Sequence, residues 1–224
     1  MATIVSDYIT SSNGELKPIK TGKVYGAVAP VRLGKTLFSL KTVHTALVKY
    51  GVDSLVWNAE TDNEVTFAIL RALHFNYMYE KLGYKPISEY AILNEEFPTE
   101  EYRELEERSK IDLFENPKHG YVRSIHSNLD LDTLKVRLID HIEDVDPKLI
   151  VIDSLDLVDY HLVQENQKQT VLSAYNIVLD LAQEKDIAIV SPHQSPLEKD
   201  KYESLANRLN RPTFVELDLD EIQF

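Results

Sequence analysis

The chain has 224 residues, 43% of them hydrophobic, and a formal net charge of −13 at pH 7, so it can bury one sizeable core and reads as one domain. That acidic balance argues against a protein that coats nucleic acid with a uniformly basic surface. The absence of cysteine excludes a disulfide framework and a thiolate metal site.

The first 22 residues, MATIVSDYITSSNGELKPIKTG, lack the basic-then-apolar layout of a signal peptide. No apolar run reaches the ~20 residues that span a bilayer, so a soluble protein with no membrane contact is expected. VYGAVA (24–29) reads as a strand. From Lys35, apolar residues at Leu40, Val43, Ala46, Leu47 and Tyr50 mark one face of a helix, which Gly51 closes. SLVWNAE (54–60) is the next strand, and NEVTFAILRALHF is a helix behind it, with Asp62 or Asn63 as its cap. Residues 76–120 are less regular, and FPTEEYRELEERSKIDLFENP reads as a charged helix with a solvated face. YVRSI, KLIVID and IAIVS then read as strands, alternating with helices in DLDTLKVRLIDHIEDV and QKQTVLSAYNIVLDLAQEK. This alternation predicts an α/β fold, a doubly wound, mostly parallel sheet with helices on both faces and ligands at the carboxyl ends of its strands. The polar stretch 192–212, which holds three of the nine prolines, reads as a long functional loop.

The chemistry-bearing residues fall at those strand ends. APVRLGKT (29–36) has phosphate-loop spacing, with Ala29 where the simple pattern has its first glycine. A strand, a tight loop and a helix starting at Gly34-Lys35-Thr36 combine backbone N–H groups, a helix N-terminus and an ammonium, all of which favour anions. Thr36 adds a hydroxyl for Mg²⁺. Ala29, Pro30, Arg32, Leu33, Gly34, Lys35, Thr36 and Leu37 are thus the nucleotide-binding candidates, although Arg32 reads equally well as a solvated arginine. An ordinary strand–loop–helix turn with a chance Gly-Lys-Thr is the competing reading, and the conjunction of strand, spacing and helix weighs against it. Asp153 ends the apolar strand of LIVIDSLDLV, where a carboxylate following a phosphate loop can hold Mg²⁺ through water. Glu60 ends LVWNAE and reads either as a group that orients or deprotonates an attacking water or as a helix cap. His193 and Gln194 end the strand of IVSPHQSP, where a polar side chain can sense a γ-phosphate.

Together these elements resemble the RecA-like P-loop ATPase core of DnaB-type replicative helicases, including the phage ring helicases. APVRLGKT matches their phosphate loop, LVWNAE the strand ending in their catalytic glutamate, LIVIDSLDLV their Walker B strand and IVSPHQSP their sensor strand. RSIHSNLDLDTLKVRLIDHI is similar to the strand and helix before Walker B, and NRPTFVELD to the stretch closing their DNA-facing loop, so the match runs in order over roughly residues 17 to 218. The resemblance implies an ATPase and DNA helicase using ATP and Mg²⁺, with Lys35 and Thr36 serving phosphate and Mg²⁺, Asp153 supporting Mg²⁺, Glu60 activating water and His193 as sensor. It also implies that Lys199, Lys201, Arg208 and Arg211, in loop 192–212, face single-stranded DNA inside a ring of subunits. A replication loader or primase as partner, and the cytoplasm of a bacterium or phage-infected host, follow from the same likeness.

Two departures shape the expectation. No primase-recruiting domain precedes the core, and the sequence closes at FVELDLDEIQF, before the strands on which the family carries its arginine finger. The isolated chain is therefore expected to be mainly monomeric and to hydrolyse ATP slowly. A RecA-like recombination ATPase and an ATP-binding switch or loader-type module with little hydrolysis are the competing functions.

Overall fold

The computed structural model describes residues 2–9, 16–28, 34–159, 164–193 and 213–216. Two strands, β1 (Ile4–Ile9) and β2 (Leu16–Lys20), pair antiparallel as a sheet of their own. The main sheet holds β3 (Lys23–Val28), β4 (Ser54–Asn58), β5 (Val122–His126), β6 (Leu149–Asp153), β7 (Ala188–His193) and β8 (Thr213–Glu216). Its order is β5-β4-β6-β7-β3-β8, with β3 to β7 parallel and β8 antiparallel to β3 at the edge.

Every residue of β4 is buried, as is all of β6 but Asp153 at its end, because both faces of a parallel sheet are covered. Leu55, Trp57, Ile150, Ile152 and Ile189 point into one core with helices α5 (Leu131–Val145) and α6 (Gln164–Glu184). The alternate residues Val56, Val151 and Val190 enter a second core under α1 (Lys35–Tyr50) and α2 (Asn63–Tyr79). This is the period-two alternation that a pleated strand imposes. Gly51 caps α1 at φ 60°, a left-handed position that only glycine takes without strain, and its N–H donates to the Ala46 carbonyl.

The β1–β2 hairpin was not expected from the sequence. It packs Val5 and Ile19 into the α1 side of the core, and the Ser6 hydroxyl donates to the Thr42 carbonyl of α1 at 2.8 Å. The irregular stretch 76–120 resolves into the end of α2, a 3₁₀ turn (Glu80–Leu82), the short helix α3 (Glu89–Leu93) and α4 (Glu100–Glu115). These build a small third core around Phe75, Ile87 and Ile92. The α4 segment is helical as its sequence suggests, but it is not solvated all round: Glu106, Ser109 and Leu113 are buried. Glu106 accepts two hydrogen bonds of 2.7 Å from the Arg71 guanidinium of α2. Among the described residues, no helix is long and apolar enough to cross a membrane.

Candidate nucleotide-binding site

The site lies where the carboxyl ends of the parallel strands meet the start of α1. Gly34 occupies the cap position at φ 72°, and its carbonyl accepts from the Phe38 N–H at 2.9 Å. A β-carbon there would have room, so the positive φ rather than crowding calls for glycine. The first turn of α1 holds no acidic residue, which leaves the positive end of its dipole uncompensated within the helix.

Lys35 and Thr36 both reach toward β6. The Thr36 hydroxyl donates to Asp153 Oδ2 at 2.6 Å, across an intervening strand, because β7 lies between β3 and β6. Burial lowers the Lys35 ammonium from its ordinary range, while Asp153, Asp156 and Glu60 act in the opposite direction. Burial raises the Asp153 carboxyl, the Thr36 hydrogen bond opposes this, Glu60 and Asp156 add to it, and Lys35 counters it. One ammonium thus sits among three carboxylates, an arrangement that leaves negative charge for a further cation to offset.

Glu60 lies two residues past the end of β4, which closes at Asn58 rather than running to Glu60 as the sequence suggests. Glu60 is exposed, on a loop anchored by the Ala59 N–H donating to the Asp153 carbonyl at 2.9 Å. Asn58, in register with Asp153, donates from Nδ2 to Thr66 Oγ1 at 2.6 Å and so fixes the start of α2 behind that loop. Its Oδ1 and the Ser154 hydroxyl are buried with no hydrogen-bond partner among the described residues. Two orphaned polar oxygens flanking a carboxylate and a hydroxyl make a hard-oxygen donor set, which fits Mg²⁺ and its waters.

The backbone of His193 pairs in register with Val28, the last residue of β3, so it stands at the strand end next to the start of the phosphate-loop sequence. Leu37, in the first turn of α1, is 42% exposed. Ala29, Pro30, Arg32 and Leu33 lie outside the described residues, as do Gln194 and the DNA-contact candidates Lys199, Lys201, Arg208 and Arg211.

Sequence reasoning missed Asp156 and Ser191. Asp156 sits in the 3₁₀ turn Leu155–Leu157 directly after the end of β6, three residues from Asp153, a spacing that brings two carboxylates to one side of a tight turn. Ser191 is a fully buried serine in an otherwise apolar strand. Its hydroxyl accepts from the Leu155 N–H at 3.1 Å and so ties β7 to that turn. The signal for Ser191 was a polar residue interrupting an apolar run.

No protein-family model matches the chain, and no curated protein matches its sequence. Among solved structures it is similar to the ATPase domain of a DnaB-like helicase, with a TM-score of 0.57 at 14% identity over 81% of this chain. The likeness covers 61% of that structure's chain. With the sheet order described above, this establishes a RecA-like fold, a mostly parallel sheet flanked by helices.

Proposed function

We propose that the chain is the motor domain of an ATP-dependent replicative DNA helicase, in which ATP hydrolysis is coupled to translocation on single-stranded DNA. The observation that carries this reading is the 2.6 Å hydrogen bond from Thr36 to Asp153, beside Lys35, at the amino end of a helix with no acidic first turn. The two oxygens are poised to share one cation, directly or through water. Thr36 and Asp153 are the residues that would hold Mg²⁺, whose chemistry when bound is to neutralise charge on phosphate oxygens.

In this reading Lys35 and the N–H groups opening α1 bind and orient the phosphates. Glu60, held near the site by the Ala59–Asp153 backbone bond, accepts the proton of the attacking water. The strand end carrying His193 and Gln194 senses the γ-phosphate, and Ser191 couples β7 to the Asp156 turn, giving that signal a path into the site. Lys199, Lys201, Arg208 and Arg211 contact single-stranded DNA, and neighbouring subunits complete a ring with a loader or primase as further partner.

Steady-state ATPase assays with and without single-stranded DNA, together with unwinding of a forked duplex, test the proposal. DNA-stimulated turnover and unwinding are expected. Glu60→Gln should keep affinity for ATP with Mg²⁺ while lowering single-turnover hydrolysis by about 10²- to 10⁴-fold. ATP-dependent filaments without unwinding would point to a recombination ATPase, and binding without stimulated turnover to a switch or loader-type module.

A further inference from the structure

At the opposite end of the sheet, by the amino ends of the strands, three side chains from separate elements converge. His74 comes from α2, Asp112 from α4 and His119 from the turn between α4 and β5. One ligand atom from each lies within 4.8 Å of the other two. His74 is 1% exposed, and its Nε2 stands 2.9 Å from Asp112 Oδ2. Nδ1 of His119 is buried and has no hydrogen-bond partner among the described residues. A buried imidazole nitrogen left unpaired beside a histidine and a carboxylate is costly unless something else meets it.

The surroundings hold the three groups in place. Asn116 Nδ2 donates to Asp112 Oδ1 at 3.0 Å, which orients the carboxylate and leaves Oδ2 turned to His74. His74 Nδ1 lies 3.0 Å from Nε2 of His44, buried on α1. A histidine that ligates through Nε2 needs a partner for its other N–H, and a neutral His44 supplies the acceptor. Burial keeps His44 neutral, with its pKa lowered to about 3. The backbone around His119 is locked by the Gly120 N–H donating to the Leu47 carbonyl at 3.1 Å. A β-carbon on Gly120 would come within 2.2 Å of the Val52 carbonyl oxygen, so the turn can approach the end of α1 this closely only with glycine there.

We propose that His74, Asp112 and His119 form a binding site for a divalent transition metal of the zinc class, distinct from the Mg²⁺ and phosphate end of the molecule. The donor set of two imidazoles and one carboxylate suits Zn²⁺ and its neighbours rather than Mg²⁺. On a tetrahedral ion with bonds of ~2.0 Å, ligand atoms sit about 3.3 Å apart. The observed 2.9 Å opens slightly and the separations of up to 4.8 Å close to reach that geometry. Asp112 is 36% exposed, so water can fill the fourth position. The bound ion clips α2, α4 and the turn before β5 into one unit.

The test uses the untagged chain, freed of metal with a chelator and titrated with Co²⁺ and then Zn²⁺ in excess Mg²⁺. One Co²⁺ should bind per chain with the visible absorption of a four-coordinate site, and Zn²⁺ should displace it. Zn²⁺ should also raise the melting temperature. Asp112→Asn and His119→Gln, both at partly exposed positions, should each weaken Co²⁺ binding at least tenfold while retaining the wild-type circular dichroism. Asp153→Asn should leave the signal unchanged. Absence of a saturable signal, its survival in both the Asp112 and His119 variants, or its loss in Asp153→Asn would each overturn the proposal.

Discussion

At the scale of single residues, the candidate site is an electrostatic arrangement more than a shape. Asp153 is a largely buried carboxylate held by the Thr36 hydroxyl and the Lys35 ammonium, and its neighbours Glu60 and Asp156 repel it. Such a group has a surplus of negative environment that a bound cation relieves. Asp153→Asn keeps the hydrogen bond to Thr36 possible and removes the charge. Its ATP affinity should consequently lose most of its dependence on Mg²⁺, with binding in saturating Mg²⁺ weakened roughly tenfold to a hundredfold, the range of a charge-assisted contact. Calorimetric titrations at several Mg²⁺ concentrations check this, and an unaltered Mg²⁺ dependence would remove Asp153 from the site. Lys35 and Thr36 were legible in the sequence because phosphate-loop chemistry is local, written in adjacent residues. Asp156 and Ser191 were not, because their relevance arises only when β6 and β7 lie side by side and the turn after β6 folds back on Ser191.

At the scale of elements, α2 and α4 are joined by a polar tie that periodicity does not reveal. The Glu106 side chain is 3% exposed and accepts both bonds from Arg71, itself one-quarter exposed. Replacing Arg71 with leucine would strand a buried carboxylate, and the expected cost is about 3–5 kcal/mol. A urea titration should show the midpoint falling with little change in slope; a shift within experimental error would mean that Glu106 finds solvent or another partner. The sequence of α4 looks like a solvated helix because its buried stripe, Glu106, Ser109 and Leu113, carries two polar residues in three positions. The β1–β2 hairpin escaped notice for a related reason. Its strands have six and five residues, with charged or polar side chains and a proline, so the alternation is too short to stand out until Val5 and Ile19 are seen against α1.

At the scale of the whole molecule, the sheet order places β7 between β3 and β6 and sets the ends of all three near the start of α1. The long apolar strands and amphipathic helices made this architecture readable in advance, since continuous burial on two faces is possible only in a parallel sheet covered on both sides. Pairing across the sheet, rather than any one segment, joins Lys35 and Thr36 of α1 to Asp153 of β6 and to the Glu60 loop. The central claim is that this junction is a nucleotide-phosphate site, and isothermal titration of the chain and of Lys35→Ala with ATP and Mg²⁺ tests it most directly. The account predicts saturable one-to-one binding by the wild-type chain and roughly tenfold to hundredfold weaker binding by Lys35→Ala, with the fold intact by circular dichroism. Equal affinity in the two proteins, or no binding by either, would contradict it.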